Sequence, residues 1–355
     1  MRILDDLNEI KKIDQENLSD LMEKLTDQME SVWQEKDKIE IPASYQKVKN
    51  VIISGMGCDR VVADAIKKAL EEISPLPIEV VGDYNAASYI NEETLVILLS
   101  YSGQTLEVLS FLKKLLKFKS RPKIFAILGG GQLEEIAKKE KFSFYKFSGA
   151  GPSRANIGYL IFALAILLEK IGLTKKTDND FPNLIKKIKD LNVQYNPKIK
   201  TDKNLAKNLA CKVFDRATII LGAQHLWPVA QRFKKLFNEN SKNFSFAEEV
   251  PEFFHNSVVG IEHPFRLKDE VFFISLESEF YDKKIKIALS LFKEELRKRG
   301  FNSETIDYSE KNRLEEVISG IVLGDWTTFY LAILNNVDPS PMILLESIKN
   351  QIRKI

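Results

Sequence analysis

The sequence predicts an α/β fold of two lobes, each a parallel sheet flanked by helices. Short apolar runs alternate with segments whose apolar residues recur at helical spacing, and this alternation returns in the second half of the chain. Strands that alternate with helices form βαβ units, which build parallel sheets. The 355 residues exceed one average domain, and a hydrophobic content of 44% is ample for a core.

The prediction is organised around residues 94–105. Residues 95–99 form an unbroken apolar run, which predicts a strand buried on both faces, and residues 106–118 have helical spacing. The intervening turn, residues 100–105, therefore lies at a helix N-terminus, where hydroxyls and backbone N–H groups suit a phosphate. The same hydroxyls could simply cap the helix, and this stretch alone leaves both interpretations open.

The remaining elements follow in chain order. Residues 1–48 are predicted to be largely helical, and charged residues 175–203, with two prolines, form a helix-bearing linker. Predicted strands are 51–54, 77–81, 95–99, 123–128, 142–147, 217–221, 271–276 and 301–306. Predicted helices are 60–73, 106–118, 133–139, 157–172, 226–237, 281–299, 314–334 and 341–355. The expected domains are a helical segment 1–48, a first lobe 49–172, a linker 173–205 and a second lobe 206–355.

Composition excludes several classes of protein. The 52 basic and 50 acidic residues are interspersed, which argues against a nucleic-acid partner. The polar, acidic start is no signal peptide, and the most apolar helix, predicted at 157–168, is too short to span a bilayer. Cys58 and Cys211 provide no disulfide framework or metal cluster. We expect a cytoplasmic protein without a membrane partner.

A glycine turn, Gly55-Met-Gly57, follows the first predicted strand. With Asp83 after the second strand, it suggests a dinucleotide site. The third glycine of that fingerprint would fall at Arg60, however, so the motif is incomplete.

Four charged residues are further candidates for function. Arg154 at a helix start could stabilise negative charge on a ligand or form an ordinary surface ion pair. Glu239, between two asparagines at a helix end, could point into a cleft or lie exposed against the helix dipole. His255 follows two phenylalanines, which suits a partly buried structural residue as well as a catalytic one. Lys349 on the last helix would by default be a solvated charge.

Motifs in order along the chain nevertheless resemble those of one family, the bifunctional phosphoglucose/phosphomannose isomerases, which are built from two sugar-isomerase (SIS) domains. The matching segments are Ser54-Gly-Met-Gly57, Ser100-Tyr-Ser-Gly-Gln-Thr105, Arg154-Ala-Asn-Ile-Gly-Tyr159, Asn238-Glu-Asn-Ser-Lys242, Phe254-His-Asn256, Leu323-Gly-Asp-Trp326 and Val337-Asp-Pro339. Each is modestly specific, but their ordered combination from residue 51 to the C-terminus is strongly so.

The resemblance implies a dimeric, cytoplasmic isomerase that needs no metal or cofactor and converts glucose 6-phosphate to fructose 6-phosphate. It leaves open whether mannose 6-phosphate is also a substrate. It implies that Ser100, Ser102 and Thr105 hold the sugar phosphate, aided by Gly55 and Gly57.

The resemblance also assigns the catalytic roles. Glu239 would move the proton between C1 and C2, and Arg154 would stabilise the cis-enediolate. His255, reaching the site from the second subunit, would assist ring opening, and Lys349 matches a ring-opening lysine.

One departure concerns the glycine turn, which in the family usually continues Gly-Ser but here continues Cys58-Asp59. Cys58 adds bulk where backbone should approach the ligand, and Asp59 places a carboxylate near a dianion, which is adverse unless it points away. A non-catalytic sugar-phosphate-binding or regulatory protein of the same fold is therefore the alternative hypothesis, and a nicotinamide oxidoreductase is the second.

Overall fold

A computed structural model of the protein describes residues 2–174 and 180–352. The strands are β1 (Asn50–Ser54), β2 (Ile78–Val81), β3 (Thr94–Ser100), β4 (Lys123–Leu128), β5 (Ser143–Lys146), β6 (Ala217–Ala223), β7 (Ser245–Val250), β8 (Val271–Ser278) and β9 (Asn302–Tyr308). The helices are α1 (Leu7–Ile13), α2 (Leu18–Glu23), α3 (Leu25–Gln34), α4 (Cys58–Leu70), α5 (Leu106–Leu115), α6 (Gly131–Glu140), α7 (Ile157–Lys170), α8 (Phe181–Tyr195), α9 (Leu205–Val213), α10 (Trp227–Glu239), α11 (Leu267–Glu270), α12 (Lys283–Arg299), α13 (Arg313–Leu334) and α14 (Ile343–Ile352).

The first sheet has five parallel strands in the order β2-β1-β3-β4-β5. β3 is the central strand, and its residues Leu95 to Leu99 are all 0% exposed, which confirms the predicted strand buried on both faces. Burying each such side chain stabilises a fold by about 1.5–3 kcal/mol. On one face, Val96 and Leu98 belong to a core cluster with Phe111 and Leu112 of α5. The helix that follows the 100–105 turn is thereby held against the sheet.

The second sheet has four parallel strands in the order β7-β6-β8-β9. β7 was not predicted from the sequence, and the physical reason is its place at the edge of the sheet. Ser245 and Val250, at the two ends of the strand, are buried. The residues between them are at most partly buried, and Phe246 is 45% exposed. An edge strand with Glu248 and Glu249 shows neither the apolar run nor the clean alternation that marks a strand in sequence.

The fold class of two helix-flanked parallel sheets is the predicted one, and the chain divides into two compact units. The first unit comprises the described parts of Lys24–Asp190 with Glu310–Ile318 and contains the first sheet. The second comprises the described parts of Met1–Glu23, Leu191–Ser309 and Ser319–Ile355 and contains the second sheet. The domain boundaries at 49–172 and 206–355 stay a prediction, and residues 175–179 of the expected linker lie outside the described residues.

Among the helices of residues 2–174 and 180–352, one, α13, is long and apolar enough to cross a membrane by length and composition. However, 89% of its most apolar window is buried inside the protein, as in the core helix of a globular fold. The apolar 157–168 segment, predicted to be too short to span a bilayer, lies in the 14-residue helix α7, whereas α13 has 22 residues.

Candidate active site

The 100–105 turn begins where β3 ends, and its own side chains hold it in shape. The hydroxyls of Ser100 and Thr105 are hydrogen-bonded to each other at 2.9 Å. The backbone N–H of Gly103 donates to Ser100 Oγ at 3.0 Å, and that of Gln104 donates to Ser102 Oγ at 3.1 Å. Ser100 is fully buried, whereas Ser102 is exposed and Thr105 half-buried. The turn thus presents Ser102 and Thr105 at the N-terminus of α5, where an anion is favoured.

A second glycine run, Gly129-Gly130-Gly131, supports this turn from the end of β4. Gly103 has φ +62°, and a Cβ on it would lie 1.7 Å from the carbonyl oxygen of Gly130. A Cβ on Gly131 would lie 2.5 Å from the Ser102 carbonyl oxygen. Only glycines allow the two backbones to approach this closely. The sequence analysis recorded this run only as the end of a strand, although a run of three glycines after a strand was the available signal.

The glycine turn of Gly55 and Gly57 joins β1 to α4. Gly57 has φ +59° and caps α4, and a Cβ on Gly55 would lie 3.2 Å from the backbone nitrogen of Arg60. Because β1 and β3 are neighbours in parallel register, this turn and the 100–105 turn lie at the same edge of the first sheet. The structure therefore brings together the predicted glycine turn and the predicted phosphate turn.

The two unusual residues of the glycine turn face inward. The Cys58 side chain is buried, with 7% exposed. Asp59 is 5% exposed, and its Oδ2 accepts the backbone N–H of Tyr101 at 3.2 Å. The sequence analysis considered a carboxylate beside the ligand or one directed away from it. Asp59 instead binds the backbone of the 100–105 turn.

Arg154 is 3% exposed and lies in a single 3-10 turn, Ser153–Ala155, which excludes an ordinary surface ion pair. Asn156 fixes the preceding loop by donating from Nδ2 to the carbonyls of Ala150 (2.7 Å) and Pro152 (2.9 Å). Gln28 of α3 donates to the Ala155 carbonyl at 2.7 Å and accepts the N–H of Gly158 at 3.1 Å. Gln28, 127 residues away from Ala155 along the chain, had no signal in the sequence.

Tyr101 links the phosphate turn to the loop that precedes Arg154. Its hydroxyl donates to the Gly151 carbonyl at 2.9 Å, and its ring lies 6.0 Å from that of Phe147. Burial, followed by the neighbouring Tyr159, raises the pKa of the Tyr101 phenol. A phenol with the ordinary pKa of about 10 is already protonated at neutral pH, and the rise widens the alkaline range over which the hydroxyl can donate to Gly151.

In the second unit, Glu239 is the last residue of α10, and the asparagines on either side of it anchor that helix end. Asn238 Nδ2 donates to Ser245 Oγ of β7 at 2.8 Å, and Asn240 Nδ2 donates to Thr328 Oγ1 of α13 at 3.0 Å. Both asparagines are thus used for packing, at a helix end where the sequence left open a Glu239 that points into a cleft or one that lies exposed. The Glu239 carboxylate itself is partly exposed and has no hydrogen bond or ion pair to any residue of the described chain.

An ion pair fixes α10 against α13 two turns before Glu239. Arg232 is 1% exposed, and its Nε and Nη2 donate to Oδ1 and Oδ2 of Asp325 at 2.9 and 2.7 Å. Such a two-pronged arrangement restricts both side chains to one geometry. Gly324 adds close packing, since a Cβ there would lie 2.5 Å from the Phe233 ring. The motif Leu323-Gly-Asp-Trp326 therefore acts through helix packing.

His255 and Lys349 are both exposed. His255 ends the 3-10 helix Glu252–His255, in which Phe253 is buried and its ring lies 5.1 Å from that of Phe292. Phe253 is buried while His255 is exposed, which does not fit a partly buried structural residue, one of the two interpretations of His255. Lys349 lies on α14, and neither residue forms a hydrogen bond with Glu239 in the described structure.

Neither a metal site nor the dinucleotide fingerprint is supported by the geometry. Within residues 2–174 and 180–352, no group of three or more His, Cys, Asp and Glu side chains could hold a metal ion. Asp83 is exposed, and Arg60 at the third-glycine position pairs with Asp64 at 3.5 Å.

Comparison with known proteins identifies the family. A bifunctional phosphoglucose/phosphomannose isomerase of Caldicellulosiruptor bescii is 31% identical over 334 residues, which cover 93% of this chain and 97% of the relative. The chain belongs to the bifunctional phosphoglucose/phosphomannose isomerase family. A family member of the same description from Aquifex aeolicus is 25% identical over 94% of this chain and 99% of its own.

Family models and solved structures agree with the SIS architecture. Residues 44–156 match the SIS domain model, and residues 202–352 match that of the bacterial phospho-glucose isomerase C-terminal SIS domain. A glucose-6-phosphate isomerase like protein from Thermus thermophilus superimposes with a TM-score of 0.63 at 20% identity, over 97% of this chain and 100% of its own. The C-terminal domain of glucosamine-fructose-6-phosphate aminotransferase from Francisella tularensis superimposes with a TM-score of 0.68 at 16% identity. The superposition covers 90% of this chain and 97% of that domain. These structures share the fold.

Proposed function

We propose that the protein is an aldose–ketose isomerase that interconverts glucose 6-phosphate and fructose 6-phosphate, with mannose 6-phosphate as a second substrate to be tested. The observation that supports this proposal is the 100–105 turn at the end of the central strand, whose hydroxyls lie at a helix N-terminus that favours an anion. The chain that contains this turn matches a bifunctional phosphoglucose/phosphomannose isomerase over 97% of that relative's length.

The substrate's phosphate is proposed to bind Ser102 and Thr105, with Ser100 holding Thr105 from behind and Gly55 and Gly57 leaving room for the ligand. A phosphate held at a helix N-terminus gains from the free N–H groups and the dipole. Because the phosphate takes no part in the chemistry, its binding energy is available to position the reacting carbons.

Glu239 is proposed as the base that removes the proton from C2 of the aldose and returns it to C1, with the reverse order for the ketose. A single carboxylate can do both because it becomes the acid after the first transfer. Its partly exposed carboxylate, on an anchored helix end, supports this role. Arg154 is proposed to stabilise the cis-enediolate, since a guanidinium stays charged when it is buried.

His255 and Lys349 are proposed to assist opening of the sugar ring, and His255 is proposed to act from the second subunit of a homodimer. The exposure of His255 supports a role at a surface that a partner covers. In the segment of the chain that follows His255, Val259 is 68% exposed and Phe265 is 80% exposed, and they offer apolar area for such an interface.

A non-catalytic sugar-phosphate-binding protein is the second candidate, and the feature that favours it is the departure of the glycine turn from the family pattern, with Cys58-Asp59 in place of Gly-Ser. A coupled assay with glucose 6-phosphate and mannose 6-phosphate, in the presence of EDTA, decides between them. Turnover supports the isomerase, and its persistence in EDTA supports the proposed metal independence. Binding of either sugar phosphate without turnover would establish the alternative. We further propose a cytoplasmic location.

A further inference from the structure

Asp59 makes a contact that the family resemblance does not explain. It is the second residue of α4, it is 5% exposed, and its carboxylate accepts the backbone N–H of Tyr101 at 3.2 Å. Tyr101 is the first residue after β3 and the second residue of the 100–105 turn. Asp59 therefore ties the glycine turn after β1 to the phosphate turn after β3.

We propose that Asp59 is a positioning residue for phosphate binding, which holds the 100–105 turn in its anion-binding shape by accepting the Tyr101 N–H. This inference rests on the proposed function, since it concerns the same phosphate turn. It replaces the expectation that Asp59 repels the ligand with a role in forming the ligand's site.

The hydrogen bonds of the turn explain why one acceptor matters. Three of its backbone N–H groups have side-chain acceptors within the protein: Tyr101 N–H donates to Asp59, Gly103 N–H to Ser100 Oγ, and Gln104 N–H to Ser102 Oγ. The backbone N–H groups of Ser102 and Thr105 have no acceptor within the part of the chain that the structure describes. These two N–H groups, together with the Ser102 and Thr105 hydroxyls, are donors that the turn leaves for a phosphate.

Among these three side-chain acceptors only Asp59 comes from outside residues 100–105. Ser100 ends β3 and Ser102 lies in the turn, whereas Asp59 lies at the start of α4, which follows a different strand. A hydrogen bond to a charged acceptor is stronger than one to a neutral acceptor. Without the bond to Asp59, the Tyr101 N–H can turn toward another acceptor. The donors of the turn that are proposed to bind phosphate then no longer point to one site.

The Asp59 carboxylate affects phosphate binding in two ways, and two substitutions separate them. As an acceptor it orders the turn and favours binding, and as a negative charge it opposes binding of an anion. Asp59→Asn retains an oxygen acceptor of the same reach and removes the charge. Asp59→Ala removes both, and Asp64→Ala removes another acid from the same helix as a matched control.

The test is calorimetric titration of the full-length chain with inorganic phosphate, with the melting temperature of each variant measured alongside. We expect Asp59→Ala to weaken phosphate binding by about tenfold or more. Asp59→Asn should bind phosphate as tightly as wild type or more tightly, and Asp64→Ala should match wild type. Should Asp59→Ala fail to fold, Asp59→Ser takes its place, because a hydroxyl on Cβ is too short to reach Tyr101.

Two results would overturn the inference: unchanged phosphate affinity in the variant that lacks the acceptor, or equal weakening in Asp59→Asn. A wild-type protein that does not bind phosphate would overturn it as well. In the isomerase assay, Asp59→Ala should raise KM for glucose 6-phosphate by about tenfold while kcat changes much less, and Asp59→Asn should restore KM. Because the titration measures binding alone, phosphate binding without turnover would refute the isomerase proposal and leave the role of Asp59 standing.

Discussion

The side-chain amide of Asn240 donates a hydrogen bond to the hydroxyl oxygen of Thr328 at 3.0 Å, and both residues are buried. Asn240 directly follows Glu239, the proposed base, so this bond fixes the backbone that carries the carboxylate. Thr328 Oγ1 in turn donates to the Asp325 carbonyl at 3.0 Å, and the Asp325 side chain holds Arg232 of α10. The end of α10 is thus held by a network on α13.

Asn240→Ala should lower both stability and turnover. It leaves a buried hydroxyl without its donor, which costs about 1–3 kcal/mol in the free energy of unfolding. We expect kcat to fall while KM changes little, because the phosphate turn is untouched. Urea denaturation of Asn240→Ala, Thr328→Val and the double variant measures the coupling between the two side chains. Strictly additive effects would show that the hydrogen bond contributes nothing.

Removal of the phosphate anchor should affect KM. Ser102→Ala and Thr105→Ala together delete two hydroxyl donors to a charged group, so KM for glucose 6-phosphate should rise at least about tenfold with kcat largely kept. The matched control is Ser110→Ala on α5, whose hydroxyl lies outside the turn. A wild-type KM in the double variant would place the phosphate elsewhere.

Glu239→Gln separates a catalyst from a binder. The amide keeps the shape of the side chain and loses the base, which contributes about 10²–10⁴-fold to the rate of proton transfer. We expect kcat to drop at least about a hundredfold, with little change in phosphate affinity. Glu295→Gln on α12, which loses exposed ion pairs with Lys298 and Arg299, is the control. Equal rates for Glu239→Gln and wild type would remove Glu239 from the mechanism.

His255→Ala should slow turnover of the closed-ring sugar and spare an open-chain substrate, because ring opening precedes proton transfer. Steady-state rates on the two kinds of substrate measure the difference, and His263→Ala, at another exposed histidine, is the control.

The same variant tests the proposed action of His255 across a dimer. Mixing inactive Glu239→Gln and His255→Ala proteins should restore activity, since one site of each mixed dimer then holds both native residues. No recovery in mixtures shown by light scattering to be dimers would mean that His255 acts within its own subunit.

Gly103→Ala should abolish phosphate binding and strongly destabilise the first unit. The new Cβ would lie 1.7 Å from the Gly130 carbonyl oxygen, at a φ of +62° that alanine rarely adopts. Thermal unfolding measures the loss, and Gly260→Ala, where a Cβ meets open space, should match wild type. A stable Gly103→Ala protein with normal phosphate affinity would contradict the close packing of the two loops.

The sequence by itself determined the sheets and the order of the candidate residues. The apolar run 95–99 and the helical spacing after it depend on local periodicity, so β3, α5 and the turn between them could be predicted. The ordered motifs likewise allowed the family to be predicted. β7 escaped because an edge strand need not carry an apolar pattern.

Only the tertiary structure decided what the residues around the candidate site do. Asp59 accepts from Tyr101, 42 residues away along the chain, and Asn240 donates to Thr328, 88 residues away. Such hydrogen bonds depend on which strands and helices become neighbours in the folded protein, and a local sequence pattern does not predict these neighbours. The same carboxylate that looked repulsive beside a phosphate became an acceptor for its binding turn, because folding placed a backbone N–H in front of it.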